Sequence, residues 1–356
     1  MKVSKKHFST LWLENDTVKI IDQTKLPFEF VVKDLKKLSD FCIAIKDMKV
    51  RGAPLIGITA AFGLAVSIRK NPSIDSIKKS YHKLVNTRPT AINLKWALDI
   101  IMDDIKKIPE KKRIDRSFEI AKNLRDDDII NCMKIGINGY KIIRDIYKRK
   151  KKIINILTHC NAGWLATIDW GTALAPIFFA NRNGIPVHVW VDETRPRNQG
   201  ALLTAWELKN ENVPYTIIVD NAGGHLMQNK KVDLCLVGSD RTTFNGDVCN
   251  KIGTYLKAIS AFDNKIPFYV ALPFSTIDLK TKSFSKIPIE ERDGKELTHT
   301  KFKKKGKVSL GEIYPKRSNT FNPAFDVTPS KFVTRLITEN GVIKPNKFEI
   351  LKHITR

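Results

Sequence analysis

The stretch Ile153–Gly163, IINILTHCNAG, decides the fold. Its first part, Ile153–His159, is a short apolar run rich in β-branched residues, the composition of a strand buried on both faces. It ends in the turn sequence His159-Cys160-Asn161-Ala162-Gly163, and an apolar stretch with helical character follows from about Gly163 to Arg182. The strand signal recurs at Val187–Val191, Thr216–Val219, Val232–Val237 and Phe268–Leu272, with helices between, such as Ala201–Lys209. Buried strands alternating with helices predict a parallel sheet covered on both faces, an α/β fold. Such sheets bind ligands at the carboxyl ends of their strands, near the point where strand order reverses. Chemistry is therefore expected just after each strand.

Upstream of the charge run Lys148–Lys152 the texture differs. Apolar and polar residues alternate around Trp12, Val18, Ile20, Phe28, Phe30 and Val32, as in small half-buried strands. Helical spacing follows at Leu35, Leu38, Phe41, Cys42 and Ile45, then over Leu55–Ile68, Ala91–Ile105 and Arg116–Tyr147. This divides the chain into a mainly helical N-terminal domain with small strands, 1–148, a parallel-sheet domain, 149–343, and a C-terminal tail, 344–356. The polar, basic stretch Thr281–Asn319 reads as a long loop.

The 356 residues are 42% hydrophobic and 28% charged, which excludes a disordered chain. No window reaches the ~18 uninterrupted apolar residues of a membrane span, and the N-terminus has no apolar core or cleavage site of a secretory signal. Five cysteines, an odd number without a CxxC pair, argue against a disulfide scaffold and a zinc site and fit a reducing cytosol. The net charge of +25 concentrates in Lys106–Arg113, Tyr147–Lys152 and Lys301–Lys307. Such runs can neutralise nucleic-acid phosphates. They have almost none of the interleaved aromatics of an RNA-binding surface, so a solvated face on an enzyme with an anionic substrate is the preferred reading.

The strand ends supply the candidates. Cys160 sits at a predicted strand-to-helix turn, where a helix dipole would lower a thiol pKa, although most free cysteines are simply buried. The loop Asp192–Gly200 is dense in acids, arginines and amides, and Asp220–His225 is glycine-rich. Gly238-Ser239-Asp240 offers Asp240 as a general acid or base if its surroundings raise its pKa, or as a plain turn residue. Lys251 beside Asn250 could hold a phosphate or sugar hydroxyls. No GxGxxG, P-loop or GxSxG motif is present.

Seven ordered blocks, spread from about Leu11 to Ile343, carry a resemblance. They are Arg51–Pro54, Arg88–Leu94, His159–Gly163, Glu193–Pro196 with Gln199–Leu208, Gly246–Thr254, Ile287–Arg292 and Asn322–Pro329. Together they resemble the methylthioribose-1-phosphate isomerase family, which is shared with subunits of translation initiation factor 2B. The resemblance implies a Rossmann-like C-terminal domain after a helical N-terminal domain, a homodimer, and an aldose–ketose isomerisation in methionine salvage without metal or organic cofactor. It implies that Cys160 and Asp240 are the catalytic pair. It implies that Arg51, Gly52, Ala53, Arg88, Gln199, Asn250 and Lys251 bind a sugar 1-phosphate. On this reading Asp240 protonates the ring oxygen, and Cys160 serves C2, either as a base or as a stabiliser of a hydride shift. Trp164 is expected to help keep the site dry.

Asn198 replaces an apolar residue of the common pattern, and Asp220–Gly224 departs from the usual Asp-Asn-Met-Ala-Ala. Both departures are expected near the pocket. A 5-deoxyribose 1-phosphate or ribose 1,5-bisphosphate isomerase, or a non-catalytic regulatory subunit, are the competing readings. The joint presence of Cys160 and Asp240 favours the enzyme.

Overall fold

A computed structural model describes residues 1–4 and 6–354. The central sheet has seven strands in the order Gly341–Ile343, Arg335–Thr338, Phe268–Ala271, Leu234–Val237, Ile154–Thr158, Val187–Asp192 and Tyr215–Ile218. All neighbours pair in parallel except Gly341–Ile343, which returns antiparallel on Arg335–Thr338. Chain order runs outward from Ile154–Thr158 to one edge, then resumes on its other side with Leu234–Val237. The reversal point lies between these two strands.

Successive side chains of a strand face opposite sides. Ile154 and Ile156 pack with Ile143 and Ile146 of the helix Arg113–Lys150 and with Leu174 and Ile177 of the helix Leu174–Arg182. Leu157 packs on the other side with Leu226, Met227, Ala258 and Ala261 from the helices Ala222–Gln228 and Thr254–Asp263. Both faces are covered, which accounts for the continuous apolar runs. The α/β reading, with a helical N-terminal region before a mostly parallel sheet, holds.

The N-terminal region has its own core around the helix Ala53–Lys70. That helix is long and apolar enough to cross a membrane by length and composition. Here it is the buried centre of a helical layer, surrounded by Leu38–Lys46, Ile74–Val85, Ile92–Ile105 and Arg113–Lys150. The strands Leu11–Glu14, Thr17–Ile21 and Val32–Leu35 form an antiparallel sheet against it.

Four features differ from the sequence reading. The helix predicted from about Gly163 to Arg182 begins only at Leu174; Trp164–Ala166 is a 3-10 turn, followed by an irregular segment. Tertiary hydrogen bonds hold this segment: Thr10 N–H donates to the Ile168 carbonyl at 2.9 Å, Gln23 to the Leu165 carbonyl at 2.7 Å, and Ile168 N–H to Asp128 at 2.7 Å. The Thr281–Asn319 stretch is no simple loop, because His299–Lys304 and Lys307–Glu312 form a hairpin. A second sheet was not expected at all: Ile277–Asp278, Arg241–Thr243, Val248–Lys251 and Phe325–Thr328 in that order. It projects from the carboxyl end of Leu234–Val237. The stretch after 343 forms the helix Lys347–Ile354, whose Ile350 is buried in the sheet core.

Candidate active site

Cys160 follows the strand Ile154–Thr158 and Asp240 follows Leu234–Val237, so the two flank the reversal point of the sheet. They line one small cavity of about 30 Å³ together with Arg51, Gly52, Ala53, His159, Asn161 and Asn250. Arg51, Gly52 and Ala53 reach it from the entrance to the helix Ala53–Lys70, and Asn250 reaches it from the second sheet.

Cys160 is 7% exposed and has φ +67°, an uncommon conformation for a residue with a side chain. Its N–H donates to Thr194 Oγ1 at 2.8 Å, and its carbonyl accepts from Thr204 Oγ1 at 2.7 Å. No helix starts at this turn, so the expected dipole effect is missing. Burial instead pushes the thiol pKa up, opposed by Arg51 and Lys251. Burial also raises the Asp240 carboxyl, with Lys251, Arg51 and Arg88 pulling it back. Lys251 is 5% exposed; burial lowers its pKa, while Cys160 and Asp240 favour its charged form. Its Nζ donates to the Ala324 carbonyl at 2.8 Å and lies 4.8 Å from the centre of the Phe325 ring.

The other predicted residues lie around this centre. Arg88 borders a neighbouring cavity that also touches Asp240, and its guanidinium is 3.3 Å from Glu290 with Nε buried and unpartnered. Asn250 donates to Thr254 Oγ1 at 2.9 Å. Gln199 does not reach the inner cavity. It lines a wider one of about 430 Å³, which shares Arg51 with the inner one, and its Oε1 is buried without a partner. The chain after Gln199 is π-helical over Gly200–Thr204 before the α-helix Ala205–Asn210.

The hairpin His299–Lys304 and Lys307–Glu312 forms one wall of the wider cavity through His299, Thr300, Lys301 and Leu310. Lys301 Nζ donates to the Thr24 carbonyl at 2.9 Å, and Arg197 pairs with Glu296 at 2.8 Å. The first lysine of a run expected to be a solvated face is therefore a wall of the cleft. Asn198 also lines this cavity, as expected of that departure. Gly223 and Gly224 do not, because they lie in the helix Ala222–Gln228 against Leu157, Lys257 and Ser260. Trp164 lines neither cavity; it is fully buried, with its ring centre 6.0 Å from that of Trp206.

Two buried groups beside the site escaped the sequence reading. His159 bridges Asp192 Oδ2 and the Ile252 carbonyl, at 2.8 Å each. His159, Asp192 and Asp220 could present three donor atoms to a metal. The Lys257 ammonium already lies 3.4 Å from Asp192 and donates to the Asp220 carbonyl. That cation makes the group a buried ion-pair network and a poor fit for a metal. The second group is Glu207, which lies behind Asn161. A lone acid between Trp206 and Leu208 was the available signal for it.

A family model described as the initiation factor 2 subunit family matches residues 49–345. A methylthioribose-1-phosphate isomerase of Escherichia coli O45:K1 (strain S88 / ExPEC) is 53% identical over 352 residues, covering 98% of this chain and 95% of the relative. The crystal structure of 5-methylthioribose 1-phosphate isomerase from Pyrococcus horikoshii OT3 matches with a TM-score of 0.84 and 38% identity, covering 98% of this chain and 96% of that one. The crystal structure of translation initiation factor eIF-2B, subunit delta, from A. fulgidus matches with a TM-score of 0.78 and 36% identity, covering 97% and 100%.

Proposed function

We propose, from the premise that the chain belongs to the initiation factor 2 subunit family, that it is an aldose–ketose isomerase. Its substrate is 5-methylthioribose 1-phosphate, its product is 5-methylthioribulose 1-phosphate, and the step belongs to methionine salvage. The observation that carries this reading is the placement of Cys160 and Asp240 on either side of the reversal point, with Arg51 and Lys251 beside them.

The anomeric oxygen of this substrate carries phosphate, so the ring cannot open as a free hemiacetal does. Asp240, kept protonatable by burial, gives its proton to the ring oxygen as the bond from C1 to that oxygen breaks. A burial-raised thiol is a poor base. The reading therefore favours a hydride shift: the C2 hydrogen moves with its electron pair to C1, and the C2 hydroxyl gives its proton, directly or through water, to the Asp240 carboxylate as the ketone forms, which restores the acid. Cys160 walls the migrating centre. Arg51, Arg88 and Lys251 hold the phosphate by charge-assisted hydrogen bonds, with Gly52, Ala53, Gln199 and Asn250 completing the binding surface. The reaction is redox-neutral within one molecule, so it calls for no external oxidant or reductant. The inner cavity alone is too small for a pentose phosphate. The sugar therefore extends past Arg51 into the wider cavity, where Asn198 meets the 5-substituent.

The helical region 1–148 supplies part of the phosphate clamp, and the region 149–343 is the Rossmann-like catalytic part. Ile217 and Val219 are exposed on and just beyond the edge strand Tyr215–Ile218. An apolar open edge of that kind supports a homodimer. The enzyme is read as cytoplasmic.

The test is turnover of 5-methylthioribose 1-phosphate, 5-deoxyribose 1-phosphate and ribose 1,5-bisphosphate side by side, in heavy water. Ketose from the first, lost in Cys160→Ser and Asp240→Asn, upholds the reading. Deuterium at C1 of the product overturns the hydride route. Equal turnover of the 5-deoxy substrate widens the function, since an apolar pocket separates such pairs by only ~1–3 kcal/mol. No ketose from any of them means a binding subunit.

A further inference from the structure

Asn161, next to Cys160, faces two ways. Its Oδ1 and its backbone carbonyl both accept from the Arg51 guanidinium, the carbonyl at 2.7 Å. Its Nδ2 donates to Glu207 Oε1 at 2.8 Å and to Thr204 Oγ1 at 3.2 Å. Glu207 is 0% exposed. Its Oε2 accepts from Trp164 N–H at 2.8 Å, and its Oε1 also accepts from Leu165 N–H at 3.2 Å.

Every partner of Glu207 is thus a neutral donor, and Arg51, beyond Asn161, is the cation that acts on it through space. A carboxylate this deep, hydrogen-bonded but without a directly paired cation, costs stability. The backbone is shaped for its approach: a Cβ on Gly163 would fall 1.9 Å from Glu207 Oε2. A side-chain amide can sit either way round. With an acceptor-only carboxylate behind it, Asn161 must turn its NH₂ inward, which leaves Oδ1 for Arg51. Burial raises the Glu207 carboxyl to about 7, against the pull of Asn161, the two backbone N–H donors and Arg51; in the ionised form, which this all-donor shell favours, its negative charge polarises the amide toward the guanidinium.

We propose that Glu207 is a positioning residue for substrate binding, which orients the Arg51 guanidinium through the Asn161 carboxamide. The inference rests on the reading of Arg51 as a phosphate ligand. Replacing Glu207 by Gln keeps the shape but puts an NH₂ against either Asn161 Nδ2 or the Trp164 N–H. In the first placement Asn161 loses its enforced orientation, and in both it loses the negative charge behind it.

The test is steady-state kinetics of the full chain with 5-methylthioribose 1-phosphate, using inorganic phosphate as a competitive probe. In Glu207→Gln, KM and the phosphate inhibition constant rise together by about tenfold or more, the worth of a hydrogen bond to a charged group, while kcat holds within about threefold. Adding Glu207→Gln to Arg51→Gln then raises KM no further. Asn161→Ala, which leaves both backbone N–H partners of Glu207, gives the same KM shift and covers the case of an insoluble Glu207→Gln. Unmoved KM and phosphate inhibition in either single variant, or additive effects with Arg51→Gln, overturn the inference. A wild-type protein that makes no ketose fails the functional reading itself. Wild-type turnover with an unmoved KM in the variants fails this inference alone.

Discussion

Gly52→Ala tests how the helical region is seated on the sheet region. Gly52 precedes the helix Ala53–Lys70 with φ +96° and ψ 135°. A Cβ there would lie 2.4 Å from the Ala166 carbonyl oxygen, 2.5 Å from its Cα and 2.6 Å from its Cβ. Two of those atoms are backbone, in a segment pinned by the hydrogen bonds to Ile168 and Leu165. A side chain in this part of φ/ψ space costs about 1–3 kcal/mol, and overpacking a filled interior costs about 1–3 kcal/mol more. Together they destabilise by about 2–6 kcal/mol. At roughly 2 °C per kcal/mol for a chain of this size, Tm falls by about 4–12 °C. Any relief must come from moving Arg51 away from Asn161, so KM rises as well. Thermal unfolding, a urea titration and substrate kinetics read all three. A Tm within about 1 °C of wild type, with KM unchanged, would refute the claim that backbone closes this approach.

Asp240→Asn is expected to lower kcat by about 10²–10⁴-fold, the usual worth of a positioned proton-transfer group, and Cys160→Ser to lower kcat by putting a more polar, hydrated group against the migrating hydride, each with Tm preserved; equal kcat would remove either residue from the mechanism. Asp240 must be protonated to act as the acid, so activity falls as pH rises through its raised pKa. Lys251→Met removes the cation that pulls this pKa down, so the descending limb of the kcat profile moves to higher pH; a limb that stays put or moves down contradicts the pairing. Burial raises the Asp128 carboxyl from its ordinary 3.8 to about 7. The folded chain therefore holds a proton there that the unfolded chain has lost, and stability from this group falls as pH rises between those values. Asp128→Asn keeps an acceptor for Ile168 N–H and escapes this loss, so its Tm gain over wild type should grow from pH 5 to pH 8; a gap constant with pH would count against the buried acid.

The strands of the main sheet were legible because burial on both faces writes unbroken β-branched runs such as Ile153–His159, and the site was expected at their carboxyl ends. The Trp164–Ala173 segment was not legible. Its apolar residues are buried like those of a helix, but its backbone groups bond to Thr10, Gln23 and Asp128, more than 35 positions away in sequence. The second sheet was invisible because its strands have two to four residues, too few to show a period. The hairpin at 299–312 alternates, yet lysines occupy much of both faces and mask it. Glu207 and His159 depend on partners 46 and 33 positions away, so local spacing held no trace of their pairing.

The site is a seam. Arg51, Gly52 and Ala53 belong to the entrance of the helical layer, and Cys160, Asp240 and Asn250 to the sheet region. A ligand held by both sides is a cross-link that exists only while it is bound. By mass action it stabilises the chain by about 2.7 kcal/mol at one hundred times its dissociation constant. On the proposed function, substrate at this seam would therefore slow limited proteolysis of the chain in vitro.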